Sequence, residues 1–217
     1  HMLAANGGVG VLMAGVPGTR RAKVVVIGGG VAGEQAAVAA AGMGADVTVF
    51  DVSLPRLRQL DALYDGRIRT LASSPYEVAA QLKDADLVVG AVLIPGAAAP
   101  KVVSDEMVKS MKPGSVLVDI AIDQGGCFEG SHPTTHADPT FKVHNSIYYC
   151  VANMPGAVPG TSTPALTNAT LPYALAIADK GWEKALADDA ALALGLNTTA
   201  GKLTNAGVAA AHGMTAS

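Results

Sequence analysis

The chain has 217 residues, half of them hydrophobic, which is enough to form one large domain, or one domain with an appendage, around a sizeable core. Its formal net charge of -3 leaves no basic surface of the kind that binds nucleic acid, so we expect no nucleic-acid partner. No uninterrupted apolar run reaches the roughly 18 residues of a membrane-spanning helix, so we expect no membrane partner.

Residues 1–20 form a glycine-rich lead-in whose first two residues, His1 and Met2, resemble a cloning remnant. Strands and helices then alternate. The predicted strands cover residues 23–27, 46–51, 67–73, 86–93 and 115–122. The predicted helices cover residues 31–44, 53–64, 74–85 and 104–111. Because the strands are continuous apolar runs separated by helices, the sequence predicts an α/β fold with a Rossmann-type doubly wound parallel sheet.

The pattern changes after residue 123. A loop rich in Gly, Pro, Thr and His leads to the β-like segment 141–151, and the proline-containing stretch 152–165 is expected to be a linker. Helical structure is predicted from about Leu166 to about Leu194, with a break at Gly181.

A glycine turn joins the first predicted strand to the first predicted helix. Its Gly28-x-Gly30-x-x-Gly33 spacing is typical of a turn whose backbone approaches a pyrophosphate, which then lies on the helix N-terminus. Asp51 ends the next strand, 18 residues after Gly33, where a carboxylate accepts hydrogen bonds from ribose hydroxyls. The spacing therefore favours a dinucleotide site over glycines that serve only a bend and an aspartate that only caps a helix.

The charge near the expected ribose position bears on the choice of coenzyme. Asp51 would repel the 2′-phosphate of NADP, so the sequence favours NAD. Arg56 lies five residues after Asp51 and offers a possible partner for a 2′-phosphate. A solvated arginine in the first turn of a helix is the favoured interpretation of Arg56.

Two long segments carry a more specific pattern. Residues 84–127, "DADLVVGAVLIPGAAAPKVVSDEMVKSMKPGSVLVDIAIDQGGC", and residues 152–173, "ANMPGAVPGTSTPALTNATLPY", closely resemble alanine dehydrogenases. More broadly, they resemble the family that these enzymes share with the NAD-binding domain of proton-translocating transhydrogenases. The resemblance covers nearly the whole chain. It implies NAD-linked interconversion of L-alanine with pyruvate and ammonia, in a homo-oligomer that is typically a hexamer.

The resemblance also implies a set of cofactor-binding residues. Those of the pyrophosphate turn and the adenosine half are Gly28, Gly30, Val31, Ala32, Gly33, Asp51, Arg56 and Ser73. Those near the nicotinamide are Val92, Leu93, Ile120, Asp123, Asn153 and Met154. Asp123 matches the position to which the family assigns catalysis.

The residues themselves support this role for Asp123. It lies just beyond the carboxyl end of a buried strand, where ligands bind in open α/β sheets, and Gly125 and Gly126 follow it. A carboxylate there is able to orient a substrate amine or relay its proton, although an aspartate that caps a loop is the alternative. Asp119, earlier on the same strand, is expected to be structural.

The histidines and cysteines of the chain are not predicted to form a metal site or a redox pair. His132, His136 and His144 lack an evident set of acidic partners, so loop or solvated histidines are favoured over a metal site. Cys127 and Cys150 lack the spacing of a metal site or a redox pair, and we expect free thiols in a cytoplasmic protein.

Alanine dehydrogenases have a large N-terminal segment with an Arg, Lys and His cluster that grips the keto acid, and nothing here matches it. The resemblance therefore implies a truncated chain that binds NAD and turns over poorly or not at all alone. We expect a lead-in (1–20), an NAD-binding domain (21–158) and a C-terminal helical segment of an incomplete substrate domain (159–217). The alternatives are the soluble domain of a transhydrogenase or another amino-acid dehydrogenase of the superfamily, and a stand-alone NAD-binding or regulatory module.

Overall fold

A computed structural model describes residues 1–93 and 99–216, which form two compact units. The first unit contains residues 1–93 and 99–152, and the second contains residues 153–216. Residues 94–98, within the segment that carries the family resemblance, and residue 217 of the predicted C-terminal segment lie outside the described residues. The units divide after residue 152, whereas the domain boundary at residue 158 stays a prediction.

The first unit is built around a seven-stranded sheet. Its strands are β1 (Lys23–Ile27), β2 (Asp46–Asp51), β3 (Ile68–Ala72), β4 (Leu87–Gly90), β5 (Val116–Asp119), β6 (Thr140–Val143) and β7 (Ser146–Tyr149). They lie in the order β3-β2-β1-β4-β5-β7-β6, and all are parallel except the edge strand β6. The predicted doubly wound parallel sheet is confirmed, and the β-like segment 141–151 forms the β6–β7 hairpin.

Helices cover both faces of this sheet. They are α1 (Val31–Gly42), α2 (Leu54–Tyr64), α3 (Pro75–Leu82) and α4 (Asp105–Lys109). Val24 and Val26 of β1 pack into a core with α1 and α2, whereas Val25 and Ile27 pack into a core with α3 and α4. This alternation follows from the two-residue period of a strand, and it explains why β1 is apolar throughout.

Strands β4 and β5 end three residues earlier than predicted, at Gly90 and Asp119 rather than at residues 93 and 122. The register aligns both ends with Ile27 of β1 at one edge of the sheet. The loop after β5 lies closely against β4 at this edge. A Cβ added to Gly90 would lie only 2.3 Å from the sulfur of Cys127. Apolar residues beyond these ends therefore line the edge instead of extending the strands.

The second unit is mainly helical. Its elements are α5 (Pro159–Lys180), α6 (Trp182–Asp188), α7 (Ala190–Ala193), the two-residue strands β8 (Thr198–Thr199) and β9 (Lys202–Leu203), and α8 (Ala206–Ala211). The predicted break at Gly181 is confirmed, but the linker expected up to residue 165 is wrong, because α5 begins at Pro159. Pro159 takes the first helical position, which needs no N–H donor, and the helix continues through Pro164 and Pro172. None of the helices in the described ranges combines the length and apolar character of a membrane crossing.

A buried carboxylate joins the lead-in to the sheet. Asp86, just before β4, is fully buried and accepts hydrogen bonds from Arg20 at 2.6 and 3.0 Å, from Lys112 at 2.6 Å and from the Lys23 amide at 2.8 Å. Burial alone would raise the pKa of Asp86, but the hydrogen bonds from Arg20 and Lys112 outweigh burial and hold this pKa below its usual value. Asp86 therefore stabilises the fold as an ionised group.

We expect Asp86→Asn to lower the free energy of unfolding by about 2 kcal/mol at neutral pH, since hydrogen bonds to charged groups each contribute about 1.5–3 kcal/mol. Because the pKa of Asp86 is lowered in the folded state, its contribution is complete above the ordinary aspartate pKa of about 3.9. The contribution is lost as pH falls through the lower folded value. Urea unfolding of both proteins at several pH values should show a constant difference down to about pH 5 and a shrinking one below it.

The matched control is Asp84→Asn. Asp84 is exposed and pairs with Lys23 at 3.1 Å, so its loss should change the free energy of unfolding by less than about 1 kcal/mol. A difference between wild type and Asp86→Asn that persists unchanged to pH 2 would contradict the assignment to an ionised Asp86.

Candidate active site

A cavity of about 380 Å³ lies at the edge of the sheet where β1 to β4 end. It is lined by Ile27, Gly28, Phe50, Asp51, Val52, Ser73, Ala91, Val92, Leu93, Pro100 and Val102. The chain winds from β1 to β2 on one side and continues through β4 on the other, so β1 marks the topological switch point. Ligands of open α/β sheets bind at this point, and the volume lies within the roughly 300–1,000 Å³ of small-molecule sites.

The glycine turn at the end of β1 is shaped by close backbone packing. Gly28 has a positive φ of 101°, and a Cβ there would lie 2.6 Å from the Ala91 carbonyl oxygen. A Cβ on Gly33 would lie 1.8 Å from the Gly28 carbonyl oxygen, so α1 approaches β1 at a distance that only glycine permits. A Cβ on Gly30 would project into open space, so nothing in the described residues obstructs a ligand there. The turn therefore fits a phosphate group that lies against the backbone.

The N-terminus of α1 differs from those of the other helices that flank the sheet. Ser53, Ser74 and Ser104 cap α2, α3 and α4 by accepting a hydrogen bond from the backbone N–H of the third residue of each helix. The N-cap of α1 is Gly30, and no side chain in the described residues accepts from its first turn. These N–H groups, at the positive end of the helix dipole, therefore remain available to an anion.

Asp51 supports the turn and also lines the cavity. One carboxylate oxygen, Oδ2, accepts from the Gly29 N–H at 2.7 Å, and Oδ1 accepts from the Ser53 N–H at 2.8 Å. Each carboxylate oxygen has a second lone pair, so the half-buried side chain is able to accept from ligand hydroxyls as well. The two interpretations of Asp51 from the sequence, local capping and ligand binding, are therefore compatible.

Arg56 is not solvated, and the favoured interpretation from the sequence is wrong. Its side chain is only 22% exposed, and its Nε donates to the Gly29 carbonyl oxygen at 2.6 Å. One terminal nitrogen donates to Gln59 Oε1 at 2.6 Å, and the other pairs with Glu34 of α1. The Glu34–Arg56 pair joins residues 22 positions apart, a separation at which the sequence offers no signal.

Asp123 and Asp119 have opposite environments on one loop. Asp123 is exposed, in a 3₁₀ turn over Ile122–Gln124, and its carboxylate makes no hydrogen bond or ion pair within the described ranges. Asp119 is fully buried, and its carboxylate accepts a hydrogen bond from the Cys127 thiol at 3.5 Å and closer ones from four other donors. These are the amides of Ala121 (3.1 Å), Cys127 (2.9 Å) and Phe128 (3.3 Å) and the hydroxyl of Ser131 (2.6 Å). The structural role expected of Asp119 is confirmed.

A second segment holds the loop that carries Asp123. Lys101 Nζ donates to the carbonyl oxygens of Gly125 at 2.7 Å and Gly126 at 2.8 Å. Its neighbours Pro100 and Val102 line the cavity, so the same short segment contacts both the cavity and the loop. These three residues were not predictable from the sequence, because nothing in their local pattern indicates a site.

The structure places the predicted cofactor residues in four groups, apart from Arg56, which bonds the Gly29 carbonyl oxygen and is not among the residues that line the cavity. The cavity is lined by Gly28, Asp51, Ser73, Val92 and Leu93. The turn beside it contains Gly30, Val31, Ala32 and Gly33, of which Val31 and Ala32 are exposed. Ile120 and Asp123 follow β5, at the same edge of the sheet. Asn153 and Met154 belong to the second unit, so their relation to the cavity stays a prediction.

The histidines have partners other than a metal. His132 stacks on Phe141 with ring centroids 3.7 Å apart, and His144 Nε2 lies 2.8 Å from Asp105 Oδ1. Across residues 1–93 and 99–216, no group of three or more His, Cys, Asp or Glu side chains is arranged to hold a metal ion.

Both cysteines are free thiols buried in the core of the first unit. Burial raises the pKa of Cys150 to about 11. Burial also raises the pKa of Cys127, and the neighbouring Asp119 carboxylate raises it further. Thiols with a raised pKa are poor nucleophiles at neutral pH, so neither cysteine is a candidate for covalent catalysis.

Comparison with known proteins identifies what the chain is similar to. The family model described as alanine dehydrogenase/PNT, C-terminal domain, matches residues 1–206. An alanine dehydrogenase of Mycolicibacterium smegmatis is 63% identical over 209 residues, which are 96% of this chain and 56% of that protein. The chain therefore spans little more than half the length of this relative.

Two solved structures are also similar to this chain. A structure titled L-alanine dehydrogenase is 47% identical with a TM-score of 0.89, and the match covers 98% of this chain and 59% of that one. A transhydrogenase from Sinorhizobium meliloti is 34% identical with a TM-score of 0.59, over 68% of this chain and 42% of that one.

Proposed function

The chain belongs to the family of alanine dehydrogenase/PNT C-terminal domains, and from this premise we propose that it is the NAD-binding part of an alanine dehydrogenase. The complete enzyme oxidises L-alanine with NAD and water to pyruvate, ammonia and NADH, and runs the reverse reaction. The observation that carries the proposal is the cavity at the switch point, which Gly28 and Asp51 line beside the uncapped N-terminus of α1.

Each part of the site fits one part of the dinucleotide. The free N–H groups of the first turn of α1 suit the pyrophosphate, and the glycine turn lets the backbone approach it. The Asp51 carboxylate suits the ribose hydroxyls of the adenosine half, next to Ser73. Val92 and Leu93, beyond β4, suit the nicotinamide side.

Asp123 is the residue that we propose for proton chemistry. Bound NAD supplies the hydride acceptor for the substrate carbon that carries the amine. The exposed, unpaired carboxylate of Asp123 is available to orient that amine and to accept a proton from it or from water. Asp119 and Lys101 hold the loop in place through their hydrogen bonds. The Asp123 side chain makes no hydrogen bond in the described part of the chain and remains available to a substrate.

Similarity favours this function over the transhydrogenase alternative, since identity and TM-score are both higher for the alanine dehydrogenase structure. We also propose a cytoplasmic location, which the free thiols Cys127 and Cys150 support. Assembly into a homo-oligomer completes the proposal. Exposed apolar side chains on α5, among them Leu166 and Leu175, support it.

Fluorescence titration with NADH and NADPH tests the coenzyme site. We expect wild type to bind NADH at least about tenfold more tightly than NADPH, because the Asp51 carboxylate repels the 2′-phosphate. We expect Asp51→Asn to bind NADH about tenfold more weakly and to discriminate less, because the substitution removes the charge from the acceptor of the ribose hydroxyls.

Asp46→Asn is the matched control, because it removes an exposed carboxylate from the opposite end of the same strand. It should leave both dissociation constants within about twofold of wild type, since exposed charges that distant are largely screened. Absence of NADH binding by wild type would refute the proposed function, and equal affinity for the two coenzymes would refute the role of Asp51.

A further inference from the structure

We propose that Glu34 determines coenzyme specificity by holding Arg56 away from the ribose end of the cavity, and that it thereby favours NAD over NADP. The inference rests on the proposed function, because it concerns the coenzyme of that site. It adds Glu34, a residue of α1 that is not among the residues lining the cavity, to the groups that select the coenzyme.

Arg56 lies beside the residue that organises the ribose end. Asp51 accepts from the N–H of Gly29 at 2.7 Å, and Arg56 Nε donates to the carbonyl oxygen of the same glycine at 2.6 Å. A single backbone residue, Gly29, thus lies between the Arg56 guanidinium and the Asp51 carboxylate that lines the cavity. An arginine in this neighbourhood is the group by which dinucleotide folds accommodate a 2′-phosphate.

Glu34 neutralises that cation and fixes its direction. One Glu34 oxygen pairs with a terminal nitrogen of Arg56, and the other accepts from the Tyr64 hydroxyl at 2.5 Å. Glu34 is only 16% exposed, and its hydrogen bonds with Tyr64 and Arg56 lower its pKa, so it is ionised at neutral pH. With Gly29, Gln59 and Glu34 as partners, three of the five guanidinium donors of Arg56 are occupied.

The charge balance next to the ribose follows from these contacts. Asp51, Arg56 and Glu34 together carry a net charge of about -1, which opposes a 2′-phosphate that carries up to about -2. Removing the Glu34 charge leaves Arg56 and Asp51 balanced. It also frees one end of the guanidinium to turn towards the cavity. NADPH should gain from this change, whereas NADH, which has no 2′-phosphate, should not.

The experiment measures the NADPH-to-NADH ratio of dissociation constants by fluorescence titration in Glu34→Gln, Arg56→Ala and the double variant. We expect Glu34→Gln to lower the ratio about tenfold relative to wild type. In the Arg56→Ala background the same substitution should change the ratio less than twofold, because the freed cation is absent. Glu34→Met, which also removes the charge, serves if Glu34→Gln does not fold.

Tyr64→Phe is the matched control. It removes the other hydrogen bond of Glu34 but keeps the Glu34–Arg56 pair, so the ratio should stay within about twofold of wild type. Circular dichroism verifies that every variant is folded.

The outcomes separate the two proposals. If wild type binds no NADH, both the proposed function and the role of Glu34 are overturned. If wild type binds NADH but Glu34→Gln leaves the ratio unchanged, only the role of Glu34 is overturned. The role of Glu34 is also overturned if Glu34→Gln changes the ratio equally in the wild-type and Arg56→Ala backgrounds. It is overturned likewise if Tyr64→Phe changes the ratio as much as Glu34→Gln does.

Discussion

Replacing Asp119 with alanine should lower the free energy of unfolding by about 3 kcal/mol or more. The Asp119 carboxylate is the acceptor for three backbone amides and the Ser131 hydroxyl, all within 3.3 Å. Each buried donor that loses its acceptor costs about 1–3 kcal/mol, and Asp119 is fully buried, so water does not replace the carboxylate without local opening. Urea unfolding followed by circular dichroism measures the change.

Asp123→Ala is the control on the same loop, and it should affect activity rather than stability. Asp123 is exposed and has no hydrogen-bond or ion-pair partner in residues 1–93 and 99–216, so its loss should change the free energy of unfolding by less than about 0.5 kcal/mol. The proposed function adds that the same change in a full-length alanine dehydrogenase containing this sequence should reduce alanine oxidation by about a hundredfold or more, the scale of general acid–base catalysis. A stable Asp119→Ala, or an unstable Asp123→Ala, would contradict this division of roles.

Gly33→Ala should be similarly destabilising, by about 3 kcal/mol, at the upper end of the range for overpacked cores. The added Cβ would lie 1.8 Å from the Gly28 carbonyl oxygen, which is backbone and has no rotamer by which to move away. Either α1 or the glycine turn must shift, so NADH affinity should fall together with stability. Thermal unfolding and NADH titration of the same preparation measure both effects.

Gly42→Ala is the matched control in the same helix. Nothing lies within 4 Å of a Cβ at Gly42, so alanine is accommodated without strain. Because alanine has a higher helix propensity than glycine, stability should be unchanged or rise by up to about 1 kcal/mol. Equal losses in Gly33→Ala and Gly42→Ala would show that the effect of Gly33→Ala is not due to close packing against β1.

The sequence was informative where one local pattern determines the outcome. The continuous apolar run of β1 predicts a strand buried on both faces, and its valines do divide between two cores. The ends of β4 and β5 were not predictable in this way, because apolar residues beyond Gly90 and Asp119 look the same whether they extend a strand or line a cavity. The prolines of the predicted linker were misleading for a related reason. Proline disfavours the interior of a helix, yet Pro164 lies inside α5.

The site residues also differ in how far they were predictable, according to whether their contacts are local in sequence. Asp51 is recognisable because a strand end at a fixed distance from a glycine turn is a local signature. The environment of Arg56 depends on Glu34 of another helix, and Lys101 acts on a loop more than twenty residues later in the chain. Contacts between residues so far apart in sequence arise only when the sheet forms, so a single sequence does not reveal them.

The uncapped start of α1 couples the stability of the fold to the coenzyme. Three helices of the first unit carry their own serine caps, so their N-termini are complete without a ligand. The first turn of α1 has no side-chain cap among the described residues, so an anion can complete it. A ligand that binds only the folded state stabilises that state by an amount that grows with the logarithm of the ligand concentration. A coenzyme bound at this turn would therefore raise the free energy of unfolding of the chain, and the increase would grow with the coenzyme concentration.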